Sequence, residues 1–147
     1  MNCCRLGMIV AASVLVAAPS QAKDPKNDPQ KIRGTWKLVS LEAEGMQSPP
    51  EIVANMKLSF GDGKLAFLPG EPGFTNYTYK LDPTAKPPRF DMTNAEGTEK
   101  GKTIKGIYSL EGDHLKICVG LEDQRPKEFT AKADSGHAMY VLKRTKP

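Results

Sequence analysis

Cys118, His114 and His137 are the side chains whose types and spacing come nearest to a reactive constellation. A cysteine with a histidine in hydrogen-bond reach can act as nucleophile and base if the thiol is exposed in an electropositive setting. Lys116 shares a face with His114, which favours a lowered thiol pKa, but no activating pattern surrounds the cysteine in Lys116-Ile117-Cys118-Val119-Gly120. His114 and Cys118 are also four apart, the spacing of paired metal ligands on a helix. The segment alternates like a strand, where about 3.3 Å per residue separates them by roughly 13 Å, too far for one metal ion. His137 joining from another strand stays open. The expectation is structural or surface histidines, a buried cysteine, no catalytic residue, no metal and no cofactor.

Gly97-Thr98-Glu99-Lys100-Gly101-Lys102-Thr103 nearly spells a phosphate-binding loop. That motif needs four residues between its glycines and a helix after them. Here three residues separate the glycines and a strand-like run follows, so the segment reads as a charged hairpin tip. The carboxylates Asp62, Glu71, Asp82, Glu96, Glu99, Glu111 and Asp113 fall mostly in turns, where they serve local hydrogen bonding. Asn76-Tyr77-Thr78 fits a glycosylation acceptor, expected bare in an exported bacterial protein.

The elements that must position these groups begin after an export signal. Arg5, the apolar run Leu6–Ala18 and the small-x-small site Ser20-Gln21-Ala22 predict a secretory signal peptide over 1–22. The run is too short to span a bilayer comfortably, so no stable membrane insertion is expected after cleavage, and the protein is expected to be periplasmic or extracellular. Residues 23–29 read as a polar leader and 30–147 as one domain. The formal net charge of +4 falls to about +3 once Arg5 leaves, too little to imply a nucleic-acid partner. The basic tail at Lys143, Arg144 and Lys146 has no aromatic platform beside it and reads as solvated. Cys3 and Cys4 depart with the signal, so a single cysteine remains and no intrachain disulfide can form.

Asp28 with Pro29 predicts a capped helical turn, and from Gly34 the pattern has period two. Met56, Leu58 and Phe60 turn through Gly61-Asp62-Gly63 into Leu65 and Phe67. Tyr77, Tyr79 and Leu81, then Phe90 and Met92, alternate with polar neighbours. Ile104, Gly106, Tyr108 and Leu110 turn through Glu111-Gly112-Asp113 into Leu115, Ile117 and Val119. The last run, Met139–Leu142, is apolar on both faces. With Thr35–Leu41 and a weaker run at Glu128–Lys132, eight or nine short strands are predicted. One further helix is predicted over Pro49–Asn55, with Ser48 as its cap. Short strands at regular spacing with turns between them make a sandwich or barrel.

Gly34-Thr35-Trp36-Lys37-Leu38-Val39-Ser40 resembles the opening of lipocalin-like domains. Tyr79-Lys80-Leu81-Asp82-Pro83-Thr84 and the Lys-Pro-Pro-x-Phe-Asp segment Lys86–Asp91 follow it. Further on stand Gly101-Lys102-Thr103, Gly106-Ile107-Tyr108, Gly112-Asp113, Leu115-Lys116-Ile117-Cys118, Arg125-Pro126, Phe129 and Ser135-Gly136-His137. In that order they resemble a lipocalin-like domain family of unknown function abundant in planctomycete bacteria, over Gln30–Lys143. The resemblance implies a small antiparallel barrel, often exported, with no established enzyme activity, cofactor or ligand. No disulfide pair and no long C-terminal helix are read here, in contrast to the general lipocalin pattern.

The predicted fold is therefore all-β, a single up-and-down barrel of about eight strands closed near Trp36, with one or two short helices. A barrel of this size holds either its own side chains or one small ligand. The candidate lining is Trp36, Phe60, Phe67, Tyr77, Tyr79, Phe90, Met92 and Tyr108, which would either hold a small apolar or amphipathic ligand or fill the core. In the first case the protein is a non-enzymatic binding module. In the second it is a structural or interaction protein of the cell envelope, acting through segments such as Pro69–Thr75 and Glu122–Lys127.

Overall fold

The computed structural model describes residues 25–68 and 76–146. The predicted signal peptide (residues 1–22, with Cys3 and Cys4), the start of the predicted leader, Glu71 and the segment Pro69–Thr75 lie outside the described residues. A 3-10 turn at Pro25–Asn27 leads into helix α1 (Asp28–Lys31). Then come β1 (Gly34–Ala43), β2 (Met46–Gln47), α2 (Pro50–Asn55), β3 (Lys57–Phe60), β4 (Lys64–Leu68) and β5 (Tyr77–Asp82). The rest is β6 (Arg89–Asn94), β7 (Thr103–Glu111), β8 (His114–Gly120) and β9 (His137–Arg144).

Every pairing is antiparallel, and the order β1-β3-β4-β5-β6-β7-β8-β9 closes through β1 with β9 into an eight-stranded up-and-down barrel. β2 adds a two-residue ribbon to the end of β1. Closure removes the sheet edges. The fold is the all-β barrel with two short helices that the period-two pattern predicts.

β1 is the seam, and it contains an irregularity. Its register with β9 runs Leu38↔Leu142 and then Ser40↔Val141, leaving Val39 unpaired as a bulge and 54% exposed. An extra residue reverses the in–out alternation beyond it. Trp36 and Leu38 face inward before the bulge, and Leu41 and Ala43 pack on the core after it. Without it, Ser40 and Glu42 would point inside.

Several expectations need correction. Glu128–Lys132 is not a strand; residues 121–136 form an irregular strap over the outside of β7, β8 and β9. Gly120 lets the strap fold back, because a Cβ there would lie 1.7 Å from the Gln124 carbonyl oxygen. The strap covers Ile107 and Cys118 with Pro126 and Ala131, all buried, and this is why the second half of β8 is buried on both faces while His114 and Lys116 stay exposed. α2 starts at Pro50 with no side-chain cap, because its N-cap position is Pro49, which has no side-chain acceptor, and Ser48 stands one residue too early; the Ser48 backbone N–H donates to the Leu41 carbonyl. Asp28 does not cap α1 either; it is the helix's first residue, and its side chain turns into the core.

Candidate functional site

The sequence-predicted lining residues all turn inward, and most of them are sealed. Trp36, Tyr108, Phe90, Phe60, Met92 and Tyr79 are buried, whereas Phe67 and Tyr77 are partly buried. Phe60 meets Tyr79 edge-on at 5.3 Å and Phe90 at 6.4 Å, and Tyr79 stacks on Phe90 at 6.0 Å. These are the spacings of aromatic pairs in packed cores. Among Leu58, Leu65, Phe67, Phe90, Met92, Ile117, Val119 and Tyr140, the remaining cavity is about 10 Å³, at the limit of a single water.

The Tyr79 and Tyr108 hydroxyls inside the barrel already have protein partners. The Tyr79 hydroxyl donates to the Gly61 carbonyl at 2.8 Å. The Tyr108 hydroxyl donates to Asp28 Oδ2 at 2.8 Å, tying β7 to α1 from 80 positions away. Burial, together with the hydrogen bond to Asp28, pushes the Tyr108 phenol far above its ordinary value. Burial likewise raises Tyr79 and, with Tyr77 beside it, takes Tyr140 up to about 12.

Trp36 closes the end at which β1 begins. It is fully buried, and its Nε1–H donates to the Ile32 carbonyl at 2.7 Å. The Arg144 guanidinium lies 4.2 Å over the ring, donates to the Arg33 carbonyl at 2.8 Å and to the Lys31 carbonyl, and approaches Asp113 at 3.5 Å. Gly34, at φ 114°, makes the turn into β1, and a Cβ there would meet Arg144 Nη1 at 3.2 Å. The opposite end carries the half-buried cluster Phe67, Tyr77 and Tyr140, with Phe67 5.6 Å from Tyr77 and 6.4 Å from Tyr140.

Cys118 and His137 do come together, at a backbone oxygen. Cys118 Sγ donates to the Thr130 carbonyl at 3.4 Å, and His137 Nδ1 lies 3.2 Å from the same oxygen. Cys118 is fully buried, and burial pushes its thiol up, against a smaller downward effect of the Thr130 contact. An activated nucleophile needs the opposite setting. His114 is exposed at the other end of β8. Among the described residues no group of three or more His, Cys, Asp or Glu side chains could hold a metal ion. Gly97 to Gly101 forms the β6–β7 hairpin tip, and a strand follows it.

A surface that the local sequence pattern does not reveal lies outside the barrel. Lys37 on β1 stands directly opposite Lys57 on β3 and Lys143 on β9, and Lys143 stands opposite His114 on β8. Like charges in direct cross-strand register destabilise a sheet by roughly 0.2–1 kcal/mol per pair. Beside this row, an open groove of about 640 Å³ runs between β1, α2 and the end of β9. The lysines were visible in the sequence, but their adjacency depends on strand register. Among the described residues no helix is long and apolar enough to cross a membrane. No family model, curated protein or solved structure matches this chain.

Proposed function

We propose that this chain is an exported, non-enzymatic lipocalin-like domain, of the family its motifs resemble, whose barrel is filled and which acts through its outer surface. The observation that carries this reading is the interior cavity of about 10 Å³ among residues expected to line a ligand site. The engaged hydroxyls of Tyr79 and Tyr108 support it, because neither is free to orient a guest. Native mass spectrometry of protein purified from its own host tests it. The expected spectrum shows the mature chain with no molecule retained in the barrel. A Phe67→Ala/Tyr79→Ala double variant is expected to lose several kcal/mol of stability, as large-to-small core changes do. A retained apolar molecule that this variant releases while still folding well would overturn the proposal.

The half-buried cluster of Phe67, Tyr77 and Tyr140 favours a second reading, in which a small apolar group enters at that end. The same release experiment separates the two.

A further inference from the structure

The lysine row on the outer face is an arrangement that folding does not need. Lys57, Lys37 and Lys143 are exposed and consecutive across β3, β1 and β9. His114 continues the row on β8, and only at its far end does an acid, Glu111, stand opposite His114. Elsewhere on the surface several cations have carboxylates close by: Arg33 with Asp62, Lys102 with Glu99, Lys105 with Asp123 and Arg125 with Asp91. Among the described residues Lys37, Lys57 and Lys143 have none. Adjacent unpaired ammonium groups favour an anion between them.

The groove supplies the other half of a site. Lys37 and Lys143 stand on its rim, and Val39, Pro50 and Val53 give it apolar walls. Val39, the bulged residue of β1, is exposed and presents an apolar side chain to the groove. α2, which forms one wall, has no buried residue. A volume of about 640 Å³ falls in the range of small-molecule sites. The surface is concave, whereas docking on a bilayer requires apolar side chains that protrude.

Resting on the reading that the barrel itself is filled, we infer that this groove binds a monomeric anionic amphiphile. Its acidic head, a phosphate or carboxylate, sits between Lys37 and Lys143 with Lys57 adjacent, and its apolar body lies along Val39, Pro50 and Val53. Head and body are both required, because the lysines alone attract any anion and the walls alone attract any apolar molecule.

Calorimetric titration of the purified protein tests this with decyl phosphate below its micelle concentration, decyl maltoside, inorganic phosphate and phosphatidylglycerol vesicles. Saturable binding of one decyl phosphate per chain is expected, well above the affinity for inorganic phosphate or decyl maltoside. The Lys37→Gln/Lys143→Gln variant is expected to bind about tenfold more weakly or worse, since hydrogen bonds to charged groups are lost. Val39→Ser should also weaken it. The lysine variant should melt about 1–4 °C higher than the parent, because the like-charge row is relieved. Equal affinity for inorganic phosphate, or binding confined to vesicles, overturns the inference. Undiminished binding in the lysine variant, abolished instead by Phe67→Ala, places the ligand in the barrel and overturns the filled-barrel reading as well. No binding of decyl phosphate overturns the groove alone.

Discussion

Arg144, at the end of the last strand, lies 4.2 Å over the ring of Trp36 in the first, so the two ends of the barrel seam are locked at one point. The same guanidinium reaches the carbonyls of Arg33 and Lys31, joining the segment before β1 to β9. Closure, plug and chain entry thus share one side chain.

Arg144→Ala should therefore destabilise by about 1–3 kcal/mol, combining a partly exposed cation–π contact with charged hydrogen bonds. Arg144→Lys should recover little, because an ammonium has neither the planar face nor the fork that spans two carbonyls. Urea denaturation of the three proteins checks this. Near-parental stability of the lysine variant would mean that charge alone matters there.

Tyr108→Phe should cost about 1–3 kcal/mol, because it strips the buried Asp28 carboxyl of its hydroxyl partner. Adding Asp28→Ala to that variant should cost less than Asp28→Ala costs the parent, the mark of a coupled pair. A double-mutant cycle by chemical denaturation measures the coupling. Additive losses would show that the contact contributes nothing of its own.

Stability should fall as pH rises above about 10. Burial holds the Tyr108 phenol far above its ordinary value and takes Tyr140 up to about 12. A raised folded-state pKa means that the unfolded chain releases its proton first. The contribution is complete below about 10 and declines as the pH climbs toward the folded values. Tyrosinate absorbance and urea midpoints recorded from pH 8 to 12 follow this directly. A flat midpoint across that window would contradict it.

Cys118 should resist thiol reagents in the native protein and become reactive when the strap is displaced. Gly120→Ala supplies the displacement, since its Cβ would collide with the Gln124 carbonyl. Each 1.4 kcal/mol of lost strap stability should raise the labelling rate about tenfold. Circular dichroism should meanwhile show the barrel intact. A labelling rate equal to the parent's would mean that the strap does not protect the thiol.

Much of the barrel was legible in the sequence because period two is a local property. Leu58, Phe60, Leu65, Phe90, Met92, Leu115 and Ile117 declare their faces through their neighbours, and the turns between them are written in Gly and Asp. The strap was misread at Glu128–Lys132 because its buried side chains are held by the outer face of β7–β9, which no local pattern encodes.

The candidate site was legible only in its parts. The aromatic lining could be named from alternation, but whether it encloses space depends on how closely side chains from different strands interlock. Asp28 meets Tyr108, and Cys118 meets His137 at the Thr130 oxygen, through distances that no spacing rule reaches. The sequence by itself determined the strand faces, the turns and the Trp36 plug, since these depend on residues close in the chain. Tertiary structure alone decided how closely the lining aromatics pack, that Leu41 and Ala43 and not Ser40 and Glu42 turn to the core, and that Lys57, Lys37 and Lys143 form one row. The physical reason is register: cross-strand neighbours are chosen by the pairing of distant segments, and a single bulge shifts which side chains meet.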